Sequence, residues 1–114
     1  MSIVINEDQV EWSPHPKVKE VQMRIFLTKK VNKADMTALL VKIPQGVDIP
    51  IHIHEKEDDN LYILSGTGKM WIDGFGDFEL HKGVFIRVLK GTKHKIFDVK
   101  EELTAFDIFI PPSV

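Results

Sequence analysis

The stretch 46-GVDIPIHIHEKEDDNLYILSG-66 decides both the fold class and the candidate site. Ile49, Ile51 and Ile53 alternate with Pro50, His52 and His54, the period of a strand whose side chains point to opposite faces in turn. His52 and His54 therefore share a face, and both imidazoles can reach a single ion. Asp59 follows five residues after His54 and opens a second expected strand, Asn60 to Ser65. Pairing of that strand with the first would set a carboxylate beside the two rings, while Asp58 would point to the opposite face. His94, which begins a later expected strand ending at Val99, follows the Lys90-Gly91 turn and is the fourth candidate ligand.

Outward from this stretch the chain reads as β throughout. Val21, Met23, Ile25 and Leu27 fall on alternate positions of a strand from Val21 to Thr28, with Phe26 as the exception. Met36 to Ile43 reads the same way, and near the C-terminus Phe106, Ile108 and Ile110 alternate with Asp107 and Phe109. Between these runs lie Pro44-Gln45-Gly46, Ser65-Gly66-Thr67-Gly68, Asp73-Gly74-Phe75-Gly76-Asp77, Lys82-Gly83 and Lys90-Gly91, all of turn-forming composition. About ten short strands at such spacing indicate an all-β sandwich or barrel. Trp71 to Gly74 and Asp77 to Leu80 form an expected hairpin, and a helical turn fits between Asn32 and Leu39. With no repeat and no low-complexity linker, residues 1–114 read as one domain.

Composition narrows the function. The chain has 114 residues, 43% of them hydrophobic, enough for one core and no second module. Its formal charge is −2 and its basic residues are interspersed with acidic ones, so no nucleic-acid footprint is present and small molecules are the expected partners. Neither a secretory signal nor a run of about 18 apolar residues occurs, which predicts a cytoplasmic protein with no membrane span. The chain contains no cysteine, leaving His, Asp and Glu as the side chains able to hold a metal.

These residues resemble the two motifs of the cupin superfamily. The first motif runs Gly, five residues, His-x-His, four residues, Glu, six residues, Gly; Gly46, His52, His54 and Gly66 match, with Asp59 at the glutamate position. The second occupies residues 83–98, where Gly83, Gly91 and His94 match while Leu89 replaces a proline and Asp98 an asparagine. The resemblance implies an antiparallel β-barrel, the double-stranded β-helix or jelly roll, holding one divalent metal ion through His52, His54, Asp59 and His94. Three imidazoles and a carboxylate suit Mn, Fe, Co, Ni or Zn. Aspartate is one methylene shorter than glutamate, so either its strand sits nearer the ion or it acts through water, and a three-histidine site is the fallback.

The resemblance further implies a metal-binding protein acting on or binding a small polar metabolite, a sugar derivative or an organic acid. Isomerase, dioxygenase and decarboxylase chemistry all fall within its range. The alternative is a non-catalytic ligand-binding or sensing module, with or without metal. A homodimer is also implied, with residues 3–12 as the strand laid on the partner's sheet. Glu55 to Asp58 are expected to be a solvated loop, and the aromatic residues to serve the core or an interface. His15 and His81 match no motif position and are given no role, while Arg24 and Lys93 are expected to be solvated.

Overall fold

The computed structural model describes residues 3–114. Its strands are β1 (Ser13–Pro14), β2 (Gln22–Leu27), β3 (Thr37–Ile43), β4 (Ile49–His52), β5 (Asp58–Ile72), β6 (Gly76–Leu80), β7 (Phe85–Val88) and β8 (His94–Ile110). All pairs are antiparallel, in the order β1-β2-β3-β8-β5-β6, with β4 also on β8 and β7 also on β5. The ladder folds over on itself as a double-stranded β-helix, but it does not close into a continuous ring.

Two long strands make this possible. The first part of β5, Asp58 to Ile63, pairs with Ala105 to Ile110 of β8 and with β7; its last part, Lys69 to Ile72, pairs with His94 to Phe97 and with β6. The two strands thus belong to two walls, one completed by β3 and β2 and the other by β4. Three register shifts between Ile63 and Lys69 bend them from one wall to the other. The sequence 65-SGTG-68, expected as a tight turn, is in fact this bend. Glycine serves here to let backbones meet, because a Cβ on Gly66 would collide with the carbonyl oxygen of Glu102 and lie 2.8 Å from Leu103 Cα, at a φ of +88°.

The walls close on one apolar cluster. Leu39, Val41, Ile43, Leu61, Ile63 and Leu103 come from the first wall, and Ile49, Met70, Ile72, Leu80, Ile96 and Val99 from the second. Phe26, the exception in the alternation of β2, sits at a bulge, since Ile25 pairs with Leu39 and Leu27 with Ala38. In β8 the parity is the reverse of that suggested by its apolar residues: Leu103, Ala105 and Asp107 are buried, whereas Ile110 is exposed. Tyr62, Phe75, Phe78 and Phe85 are exposed and lie outside the core.

Other expectations need correction. The strand carrying His52 pairs with β8, not with the strand carrying Asp59: Ile49 lies opposite Ile96, and His52 opposite His94. Within the single chain, residues 3–12 are irregular apart from one turn. Glu7–Gln9 is a 3-10 turn closed by a capping box from Asn6, and the Trp12 ring packs with the cationic groups of Arg24 and Lys42 from β2 and β3 of the same chain, at 4.6 and 4.4 Å. The helical turn falls at Lys29–Asn32, earlier than expected, where the Thr28 side chain caps it. Among the described residues no helix is long and apolar enough to cross a membrane.

The bend and an ordinary turn can be told apart by the same substitution. Gly46, at a φ of +77°, has nothing within 4 Å of a built Cβ. Gly46→Ala should therefore cost only the left-handed backbone, about 1–2 kcal/mol, whereas Gly66→Ala adds a backbone collision and should cost more than about 3 kcal/mol in urea denaturation.

Candidate metal centre

Four of the expected side chains meet inside the fold. One donor atom from each of His52, His54, Asp59 and His94 lies within 4.8 Å of every other. His52 ends β4, His54 lies two residues beyond it, and His94 opens β8 beside His52. The His52 and His94 ring centroids are 4.1 Å apart, and those of His54 and His94 are 5.4 Å apart. Asp59 enters from the other wall, where it pairs with Phe109 and Val88. Its Oδ2 lies 3.5 Å from His94 Nε2 and 3.6 Å from His54 Nε2.

The ring orientations are fixed from behind. His52 Nδ1 is 2.8 Å from the Pro50 carbonyl oxygen and His94 Nδ1 is 2.9 Å from that of Thr92. A carbonyl only accepts, so both Nδ1 atoms carry the proton and both Nε2 atoms present a lone pair to the cavity. Glu57 Oε1 lies 3.4 Å from His54 Nδ1 and directs the third ring the same way. Glu57, expected as part of a solvated loop, is thus a buttress, while Glu55 and Lys56 are exposed as anticipated. Asp58 faces away from the cavity, where it accepts from Arg87 Nη2 at 2.8 Å and from Lys90 N at 2.9 Å.

These lone pairs have nothing in the protein to bind. His94 is 1% exposed and Asp59 5%, yet His94 Nε2 has no hydrogen-bond partner and faces Asp59 Oδ2 at 3.5 Å. Buried polar atoms are nearly always paired, so donors left bare and pointed at one another are compatible with a cation between them. Burial, reinforced by the other two rings, pushes the His52 pKa down to about 4, and burial likewise lowers that of His54. Both rings are therefore neutral, and their lone pairs available, at neutral pH.

Two further residues of this site were not anticipated. Asp107, 7% exposed, lies behind Asp59. Burial raises its pKa well above the carboxylate range, and the neighbouring Asp59 charge adds to this. Burial alone would raise Asp59 as well, but the hydrogen bond from Asp107 and then the neighbouring imidazoles hold it low. Asp107 thus carries the proton of the pair and donates it to Asp59. The only sequence signal was a charged residue alone in the apolar run 106-FDIFI-110, which the alternation assigned to the outer face. His15 is the second: it lines the same cavity, and its pKa is lowered by burial and then by Lys17 and His54. His81 stays on the surface, its Nδ1 3.1 Å from the Lys82 carbonyl oxygen.

The chamber enclosed by these groups is about 80 Å³. Its remaining walls are Met23, Leu39, Val41, Ile49, Leu61, Met70, Ile96 and Phe109, so the polar groups sit in an otherwise apolar space. The Phe109 ring stands edge-on to His54, with centroids 5.0 Å apart.

Known proteins share this architecture. KdgF from Halomonas sp. superposes with a TM-score of 0.79 at 24% identity, over 96% of this chain and 94% of that one. A predicted oxalate decarboxylase from Thermotoga maritima gives 0.82 at 22% identity, over 96% and 99%. Ectoine synthase from P. lautus gives 0.84 at 16% identity, over 97% and 79%. At these identities the likeness is one of fold. No curated protein matches the chain. The family model described as "Cupin domain" matches residues 39–109, from β3 through nearly the whole of β8, and so takes in all four converging side chains. The chain belongs to the cupin domain family.

Proposed function

We propose that this chain is a metal-dependent cupin that acts on a small polar metabolite at a divalent ion held by His52, His54, Asp59 and His94. The supporting observation is the convergence of unshared lone pairs: Nδ1 of His52 and His94 is committed to a backbone carbonyl, and buried His94 Nε2, without a hydrogen-bond partner, faces Asp59 Oδ2 at 3.5 Å. Such a nitrogen and oxygen set fits Mn, Fe, Co, Ni or Zn and leaves coordination positions for a ligand. Bound there, the ion would supply Lewis-acid polarisation of a carbonyl or enediolate or, if redox-active, a site for dioxygen.

The protein groups divide the remaining work. Pro50, Thr92 and Glu57 hold the rings in one tautomer, the role that oxygen acceptors behind metal-facing histidines commonly play. Asp107 supplies a hydrogen bond to Asp59, offsetting part of the cost of burying that carboxylate. The apolar walls limit water, which strengthens every electrostatic contact inside the chamber. At about 80 Å³ the chamber has room for a few waters or for the polar head of a metabolite.

Elemental mass spectrometry of untagged protein tests the reading. About one equivalent of transition metal is expected in the parent, and under about a tenth of that in His52→Ala/His94→Ala. A metal-free parent that also refuses added ions would sink the metalloprotein reading and favour a metal-free binding module.

Asp107 gives a second test. Asp107→Asn keeps a donor facing Asp59 and should retain metal while changing stability by less than about 1 kcal/mol, whereas Asp107→Ala strands Asp59 and should cost about 2–4 kcal/mol. If both variants cost the same, Asp107 is not the proton-bearing partner.

Acid should weaken the fold through His52. The pKa of His52 is about 4 in the folded chain against an ordinary 6.5, so between these values the unfolded chain takes up a proton that the folded one refuses. Its contribution is therefore full above 6.5 and lost as pH falls towards 4. Asp107, with a raised pKa, works in the opposite sense across the acidic range. A difference measurement isolates the histidine: in urea denaturation of chelated protein, any stability advantage of the parent over His52→Gln should shrink steadily as pH falls from 7 to 4. A difference that does not vary with pH would contradict the assignment of His52 as a buried neutral ring.

A further inference from the structure

The chamber opens into a second space of about 290 Å³, a groove between the loop after β1 and the chain around β4. His15 lines both, and so stands where one meets the other. Its loop is well anchored: His15 N donates to the Val21 carbonyl at 2.8 Å, Val21 N donates back to the Val18 carbonyl at 3.0 Å, and Val21 is fully buried.

The ring of His15 has the opposite polarity to the three rings of the cluster. Its Nδ1 accepts hydrogen bonds from the backbone N–H groups of Lys17, at 3.1 Å, and Val18, at 3.2 Å. A backbone N–H only donates, so Nδ1 is the bare nitrogen and the proton sits on Nε2, on the ring edge turned from its own loop. His52 and His94 present lone pairs, as a cation requires, whereas His15 presents an N–H, as an oxygen of an anion requires. Lys17 lines the same groove and brings a positive charge to this rim. The other lining groups there are Pro16, Val18 and Ile49 to Ile53 with the two histidines, so the groove contributes no carboxylate to repel an anion.

We propose that His15 and Lys17 form the substrate-anchoring edge of this site: His15 Nε2–H donates to a carboxylate oxygen of a small organic acid whose other polar end lies at the four-residue cluster, and the Lys17 ammonium supplies the attracting charge. This rests on the metal-site reading and deepens it by naming the substrate class as anionic. It also gives His15 a task that its place in the sequence did not suggest.

Two measurements test the assignment. In chelated protein, long-range proton–nitrogen NMR should find His15 as the Nε2–H tautomer and His52 and His94 as Nδ1–H tautomers, an outcome independent of metal. In zinc-loaded protein, titration calorimetry would use oxalate, malonate and pyruvate as probes, with oxamide and malonamide as neutral counterparts. At least one acid should bind, more tightly than its amide, and should shift the His15 Nε2–H resonance. His15→Ala should weaken that binding at least about tenfold with zinc content unchanged, and Lys17→Ala about threefold. His15→Gln, whose amide nitrogen falls near the position of Nε2, should recover part of the loss, while His15→Asn should not.

A His15→Ala variant that holds zinc and binds the acid as well as the parent overturns the proposal. So does a zinc-loaded parent that binds none of the acids or binds amides equally, or a His15 proton found on Nδ1. Failure to take up zinc or any other of the divalent transition ions overturns instead the metal-site reading beneath it.

Discussion

The long antiparallel pairing of β5 with β8 is the constraint on which the rest of the molecule depends. Neither strand could serve two walls if both ran straight, and neither could bend if the chain at 65-SGTG-68 carried side chains against Glu102 and Leu103. Because β8 passes from one wall to the other, His94 at its start and Asp107 near its end both reach one chamber from opposite sides. The same geometry in β5 turns Asp59 inward in the first wall while Met70 and Ile72 pack in the second. The site is thus a product of the bend and not of any local hairpin.

That chamber is a costly thing to fold. Three imidazoles and two carboxyl groups leave water for a space otherwise lined by aliphatic and aromatic groups, and His94 Nε2 finds no partner there. The protein reduces the cost in stages: two rings are neutral through burial, one carboxyl keeps its proton, and that proton is used to bind the other. What remains is a single buried negative charge facing three lone pairs. An arrangement of this kind is less stable than an apolar core of the same size would be.

Much of this was legible in the sequence, for identifiable reasons. Strand parity alone places His52 and His54 together, and the glycine spacing around them and around His94 pointed to the fold that the family match and the structure bear out. Topology was less legible. Adjacency in sequence suggested that the strand of His52 pairs with that of Asp59, but a double-stranded β-helix routes each strand to a partner on a different turn, and β8 takes that place. Asp107 was hidden because both faces of the last strand carry apolar residues, and alternation favoured the face that turns outward. His15 was hidden because it stands on an irregular loop, where no periodicity assigns a direction. Both are brought to the chamber by long-range packing.

The tethers of His52 and His94 are short in sequence. Each ring is oriented by the carbonyl two residues before it, Pro50 for one and Thr92 for the other. The aim of these two donor atoms is therefore encoded within segments of three residues, and not by the shape of the chamber they face. Walls such as Met23, Leu61 or Phe109 take no part in these tethers, so the lining of the chamber and the aim of the two rings are set by different residues. A scaffold built this way separates what is held constant from what can vary, and lends itself to evolutionary reuse.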